Sequence, residues 1–273
     1  MKILLTGSSG FIGGHILKAL QHQGHDVVAV SRKNGFDFSQ LTHVEDWIPH
    51  LKKIDVVINC VGIIVETRKQ RFSELHHHAP AALFKASEQA GVQRIIQISA
   101  LGADEYAYTP YQLSKRAADD VLRSLPMDWF ILRPSLVYGP GGQSTAMFQA
   151  MSSLPIVPLI GGGIQRIQPV HVDDLVAAVL ACFDSVPAQQ TIDVVGPNEL
   201  SFRDWLKRLR QLKKRGRFVT VSMPYPIMLA ASHLLKFFAP LMHPDNLRML
   251  QAGNLSSAHS LTKLLGREPR DVP

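Results

Sequence analysis

The stretch "TGSSGFIG" (Thr6–Gly13) decides the fold, as much by what flanks it as by what it contains. In front of it, "KILLTG" (2–7) is a short, unbroken apolar run of the kind buried on both faces of a parallel sheet. Behind it, "GFIGGHILKALQHQG" (10–24) carries apolar residues at helical spacing. Glycines at 7, 10 and 13, where a strand turns into a helix, are the fingerprint of a loop that cradles a dinucleotide pyrophosphate. Gly7 allows the tight turn, Gly10 lets backbone approach the anion, and Gly13 lets helix and strand pack closely. The helix start adds N–H donors and a positive dipole end. Ser9, Phe11 and Ile12 of the same loop are counted with the glycines as cofactor-binding positions.

The alternation continues downstream. "DVVAVS" (26–31), "DVVINCVG" (55–62), "RIIQIS" (94–99) and "WFILRP" (129–134) read as buried strands. "HAPAALFKASEQAG" (78–91) and "YQLSKRAADDVLRSL" (111–125) read as helices between them. A β-α-β-α order of this kind predicts an α/β fold, a doubly wound parallel sheet of the Rossmann type. Residues 1–155 form the dinucleotide-binding part. Residues 156–273 form a smaller C-terminal α/β substrate lobe, interleaved with the sheet rather than independent. In that lobe a helix is expected at 172–183, a strand at 191–196, and helices at 203–217 and 228–238.

The end of the second strand bears on cofactor choice. An acidic residue there would bind a ribose 2′-hydroxyl, whereas a 2′-phosphate favours arginine. The sequence has "VSRKN", with Ser31, Arg32 and Lys33 and no carboxylate. A guanidinium can stack on adenine and pair with phosphate. The expectation is NADPH, with NADH as the alternative and a solvent-facing basic turn as the bland one.

"PYQLSK" (110–115) sets Tyr111 and Lys115 four residues apart, on one helix face. A free phenol, with a pKa of about 10, is too weak a base at neutral pH, and a neighbouring ammonium would stabilise the phenolate. The pair can be a proton-transfer device or two residues of an exposed helix, and the spacing alone does not separate these.

Composition excludes little but narrows the partners. Of 273 residues 46% are hydrophobic and 19% charged, which is ordinary for a globular chain. Aromatics at 7% disfavour a stacking surface for single-stranded nucleic acid. Cys60 and Cys182 sit in apolar runs without metal spacing and read as small buried hydrophobes; no metal site is expected, the internal "HHH" (76–78) included. "MKILLTGSSG" has no long apolar signal core, so secretion is not expected, and the apolar stretch 226–242 is broken by His233, Lys236 and Pro240. A cytoplasmic location is expected, at most peripheral to the inner face of a membrane. The net charge of +7 concentrates in "RDWLKRLRQLKKRGR" (203–217), from Arg203 to Arg217 and including Arg215. This is a solvated basic face, or a docking face for anionic lipid or an acidic partner.

With "TGSSGFIG", "NCVG" (59–62), "YQLSK" (111–115) and "RPSLVYGPG" (133–141) in hand, the whole chain resembles the short-chain dehydrogenase/reductase superfamily, in its extended or atypical branch. The stretches 91–104, 167–179 and 194–206 make it similar to bacterial relatives of the nucleotide-binding accessory subunit of respiratory complex I. The resemblance implies that Asp37 lies near the adenine edge and that Asn59, Cys60, Val61 and Gly62 pass beneath the adenosine ribose. It implies Tyr111 as acid/base, Lys115 as its partner, Ser99 as the group polarising the substrate oxygen, and Pro134 to Val137 against the nicotinamide. Two departures stand out. Only twelve positions separate Ser99 from Tyr111, and His77 falls about where many members carry an asparagine.

The resulting expectation is an NADPH-binding oxidoreductase moving a hydride to or from a carbonyl or alcohol. A non-catalytic NADPH-binding scaffold of a respiratory membrane complex is the alternative, and a nucleotide-sugar epimerase or dehydratase the third. Met223, Ile227, Leu234 and Phe237 suggest an apolar, quinone-like ligand, or simply pack the lobe together. Oligomeric state stays open, and so does whether the native chain continues past Pro273, as relatives often do.

Overall fold

The computed structural model describes residues 1–214, 216–235 and 242–271, so Arg215, Lys236, Phe237 and Pro240 lie outside the described residues. In chain order the strands are β1 (Lys2–Thr6), β2 (Asp26–Val30), β3 (Val56–Asn59), β4 (Arg94–Ile98), β5 (Asp128–Pro134), β6 (Val137–Tyr138) and β7 (Ile156–Ile160). There follow β8 (Arg166–Ile167), β9 (Val170–His171), β10 (Gln190–Val194), β11 (Leu200–Ser201) and β12 (Val219–Met223). The helices are α1 (Phe11–His22), α2 (Val44–Trp47), α3 (Ala79–Gln89), α4 (Pro110–Arg123) and α5 (Gln143–Ser152). They continue with α6 (Val172–Ala181), α7 (Phe202–Leu212), α8 (Tyr225–Leu235), α9 (Pro244–Ala252) and α10 (His259–Leu265).

Six strands form one parallel sheet in the order β10-β5-β4-β3-β1-β2. The order reverses between β1 and β3, and that switch point opens a crevice at the strand ends. Both faces are covered, which is why these strands read as unbroken apolar runs. Ile3, Leu5, Ile58, Ile96 and Phe130 face the layer of α1 and α6. Leu4, Val57, Ile95 and Ile131 face that of α3 and α4. β10 joins the sheet from the second half of the chain, beside β5.

The second half has its own core. Trp205, Leu206 and Leu209 of α7 pack with Phe148 of α5 and Leu159 of β7. Trp205 is fully buried, and burying a large apolar side chain is worth about 1.5–3 kcal/mol. The basic segment is not one helix over 203–217. α7 stops at Leu212, Lys214 takes a left-handed backbone (φ 49°), and the chain returns as β12, parallel to β7. Nor are all its cations on one face. Arg210 is turned inward, where its guanidinium donates to the carbonyls of Ser152, Leu154 and Gly216 at 2.8–2.9 Å. No helix among the described residues is long and apolar enough to cross a membrane.

Candidate active site

The glycine loop sits at the switch point. Gly7 has φ +68°, and a Cβ there would come within 2.8 Å of the Cys60 backbone. A Cβ on Gly13 would lie 2.2 Å from Gly7 O, so α1 can start against β1 only with glycine at this position. Gly10 N donates to Gly7 O at 2.9 Å and closes the turn, and Gly10 caps α1 without a side chain. The first N–H groups of the helix therefore carry no side-chain cap, and together with the bare loop they suit an anion such as a pyrophosphate. Ser8 Oγ donates to Val30 O at 3.2 Å, tying the loop to β2.

Beyond β2, Ser31 and Asn34 cap a short 3-10 turn that leaves Arg32 and Lys33 exposed. Arg32 has no ion pair among the described residues. Asp37 is exposed and occupied locally: its Oδ1 accepts from Ser39 N and Oγ at 3.1 and 2.7 Å.

Asn59 is fully buried at the end of β3, and its side chain braces the sheet. Thr6 Oγ1 and Val61 N donate to Asn59 Oδ1 at 2.6 and 3.2 Å, and Asn59 Nδ2 donates to Gln97 Oε1 at 2.7 Å. This chain of amides holds the Cys60–Gly62 turn under the glycine loop. Burial pushes the Cys60 thiol up to about 12, against the pull of Lys115, so it stays a thiol. Pro134 is buried at the end of β5, and Val137 lies half-buried in β6.

Tyr111 and Lys115 enter from α4. "TPYQ" is a capping box: Thr109 Oγ1 accepts from Gln112 N, Gln112 Oε1 accepts from Thr109 N, and Pro110 occupies the first turn. Tyr111 is thus the second helical residue, half-buried, with Lys115 one turn further in and buried. The ammonium reaches the strand ends, where Nζ donates to Val61 O at 3.2 Å and Ile98 O at 3.1 Å. A Cβ on Gly62 would stand 3.1 Å from that Nζ, so glycine there keeps the ammonium's place open.

The histidine in the site is His76, not His77. Residues 73–78 form a π-helical turn ahead of α3. Pro80 has no N–H for the carbonyl of His76, and the wider turn accommodates that loss. His76 is buried while His77 and His78 lie outside with rings 4.9 Å apart. Ile63 N donates to His76 Nε2 at 2.9 Å, so the proton sits on Nδ1, which lies 2.9 Å from Ser114 Oγ. Ser114 Oγ in turn donates to Tyr111 O at 2.7 Å. Burial, then the charge of Lys115, holds His76 well below its usual 6.5. It is a neutral strut between the β3 loop and α4. Its ring stacks on Phe72 at 5.0 Å and meets Tyr111 edge-on at 5.5 Å.

Ser99 is buried, with its hydroxyl donated at 2.5 Å to Asp119 Oδ2, a carboxylate outside the residues expected from the sequence. Asp119 lies one turn beyond Lys115 on α4, and it is fully buried. Burial raises its carboxyl to about 7, against the Ser99 hydrogen bond and the Lys115 charge, and lowers Lys115 to about 8. Burial, with Asp119 adding, pushes the Tyr111 phenol up to about 12. At neutral pH this phenol keeps its proton and suits giving one up to a developing alkoxide. The signals for the missed residues were present: Asp119 continues the Tyr111–Lys115 face at i+4, and Pro80 stands four after His76.

Residues 3–196 match the NAD dependent epimerase/dehydratase family. The chain belongs to that family. Its fold and glycine loop are those of an NAD(P)-binding epimerase or reductase. It is 29% identical over 280 residues to "NADH dehydrogenase [ubiquinone] 1 alpha subcomplex subunit 9, mitochondrial" of Arabidopsis thaliana, covering 94% of this chain and 68% of that protein. It is 30% identical over 191 residues to ceramide reductase of Caulobacter vibrioides, covering 66% of this chain and 60% of the relative. Against the mouse form of the first protein the shared segment spans 63% of the relative's length. Among solved structures, UDP-glucuronic acid 4-epimerase from Bacillus cereus superposes with a TM-score of 0.73 at 17% identity, covering 100% of this chain and 95% of the other.

Proposed function

We propose that this protein is an NADPH-dependent reductase of the short-chain type, with Tyr111 as the proton donor to a substrate carbonyl. The observation that carries the reading is the placement of Tyr111 and Lys115 on α4, above the ends of β3 and β4 and beside the glycine loop, with a phenol that retains its proton. NADPH, when bound, supplies the hydride to the carbonyl carbon. Gly7, Gly10 and Gly13 with the start of α1 would hold its pyrophosphate, and Arg32 its 2′-phosphate. Tyr111 gives its proton to the carbonyl oxygen, and solvent restores it. The Lys115 ammonium offsets the phenolate left behind and is kept in place by two carbonyls. The relative named ceramide reductase supports an apolar carbonyl substrate.

A second reading rests on Ser99 and Lys115. The Ser99 hydroxyl is committed to Asp119 and the Lys115 ammonium to backbone, as in a site where nucleotide is held for structure rather than turned over. The likeness to the complex I subunit over 94% of the chain supports this reading too. One set of measurements separates the two. In calorimetric titrations the wild type prefers NADPH over NADH and Arg32→Ala loses the preference; equal affinity in the wild type would refute the phosphate site. In turnover assays with NADPH and long-chain carbonyl substrates, Tyr111→Phe lowers kcat by about 100-fold or more while NADPH affinity is kept. A Tyr111→Phe protein that turns over as well as the wild type would remove Tyr111 as the acid, and no turnover by either would favour the structural reading.

A further inference from the structure

The basic segment is not used by the nucleotide site. Of its cations Arg210 is buried, and Arg208 faces Asp271 at 3.7 Å. Arg203, Lys207, Lys213, Lys214 and Arg217 remain, all exposed and without an ion pair among the described residues. Arg203, Lys207 and Arg217 line one surface cavity of about 580 Å³, whose only carboxylate is Asp204. Trp205, Leu206 and Leu209 of α7 are already in the core, so of the helix's leucines only Leu212 at its end is exposed.

Apolar surface comes instead from the neighbouring two-stranded sheet. Val219 pairs with Ile156 and Val221 with Pro158, so these four side chains share the face turned away from Val157 and Leu159, which are in the core. Ile156, Val219 and Val221 are 57%, 46% and 43% exposed. Leu154 and Leu212 extend the patch at 42% and 57%, and Arg210, bonded to Leu154 O, joins the two segments. Val219 also lines the cationic cavity, which sets Arg203, Lys207 and Arg217 beside the apolar face, and Lys213 and Lys214 lie in the turn that leads from α7 to β12.

We propose that this surface docks the protein on an anionic lipid bilayer, with Lys213, Lys214, Arg217, Lys207 and Arg203 at headgroup level and Ile156, Val219 and Val221 in the interfacial layer. Three cations against one carboxylate around the cavity, with Lys213 and Lys214 on the adjoining turn, match a negative membrane surface, and β-branched side chains beside them match the acyl boundary rather than an acidic protein. Nucleic acid would leave the apolar face uncovered. The inference does not depend on whether the nucleotide site is catalytic.

The test uses the full chain in vesicle co-sedimentation, with phosphatidylcholine alone or with about one quarter phosphatidylglycerol. The wild type partitions to the anionic vesicles only, less so at high salt. Lys213→Ala/Lys214→Ala lowers partitioning about 30-fold, at roughly fivefold per cation lost. Val219→Ser/Val221→Ser removes the binding that persists in high salt. Both variants keep the wild-type urea midpoint, since the substituted side chains are exposed. The proposal is overturned if anionic vesicles do not bind, if either double variant binds like the wild type, or if soluble polyglutamate captures the protein while vesicles do not.

Discussion

Asp119 is the residue on which the electrostatics of the site turn, and Asp119→Asn tests the account directly. Its carboxyl is fully buried, with one oxygen hydrogen-bonded by Ser99 and the other without a partner among the described residues. Burial raises it from 3.8 to about 7. A group raised in this way binds its proton in the folded state at pH values where the unfolded chain has released it. Its stabilising contribution is therefore complete below about pH 4 and is lost as pH rises through about 7. The interval from 3.8 to about 7 is worth on the order of 4 kcal/mol. Asparagine keeps an acceptor for Ser99 and does not titrate. Between about pH 4.5 and 6.5 the stability of the variant relative to wild type should climb by up to about 1.4 kcal/mol per pH unit, then level off. Lys115, at about 8 in the fold, keeps its charge across that window and adds no slope. Urea unfolding at half-unit pH steps measures the difference. A difference that is flat, or falls with pH, would mean that Asp119 is ionised at little cost and that the buried carboxyl has been misread.

Two further pairs of substitutions test the backbone and the inner cation. Gly13→Ala puts a Cβ 2.2 Å from the Gly7 carbonyl oxygen, so destabilisation at or above the upper end of about 1–3 kcal/mol and loss of NADPH binding are expected. Gly24→Ala, at φ +77° with open space around it, should cost only about 1–2 kcal/mol and leave binding intact; equal effects of the two in urea unfolding and titration would refute the close-approach argument. Arg210→Met leaves three carbonyls without their charged donor and should cost about 3 kcal/mol in the urea midpoint, whereas Lys207→Met, exposed on the same helix, should cost under about 0.5 kcal/mol.

What was legible in the sequence is what local chemistry dictates. The strands of the large sheet read correctly from β1 to β5 because both faces of the sheet are covered, with only the edge strand β2 left half-buried, and an unbroken apolar run has no other comfortable place. The glycine loop was legible because helix, strand and anion all demand the same small residue there. The second half was read less well. β7 and β12, with "IVPLI" and "VTVSM", are half-exposed strands of a two-stranded sheet, and α5 has a weakly amphipathic sequence whose packing against α7 only the tertiary fold supplies. Arg210 looked like one more member of a basic run. Its inward turn follows from carbonyls 56–58 residues away in sequence, which no helical wheel contains.

The same limit explains the site. Tyr111 and Lys115 could be placed on one face from their spacing, but the spacing is silent on where Nζ ends. That depends on Gly62 leaving room, on β3 and β4 presenting two carbonyls at their ends, and on Asp119 lying a turn deeper. His76 and His77 differ by one residue, and whether the histidine enters the site is decided by a π turn that follows from Pro80. A helix of regular pitch would rotate each residue by about 100° from the last, so a single misplaced register sends the wrong histidine inward. The groups around Tyr111 come from two places, Phe72 and His76 from the turn ahead of α3 and Asp119 from two turns further along α4. The phenol keeps its proton because the fold withholds water and places a carboxylate behind it, not because of anything within "PYQLSK" itself.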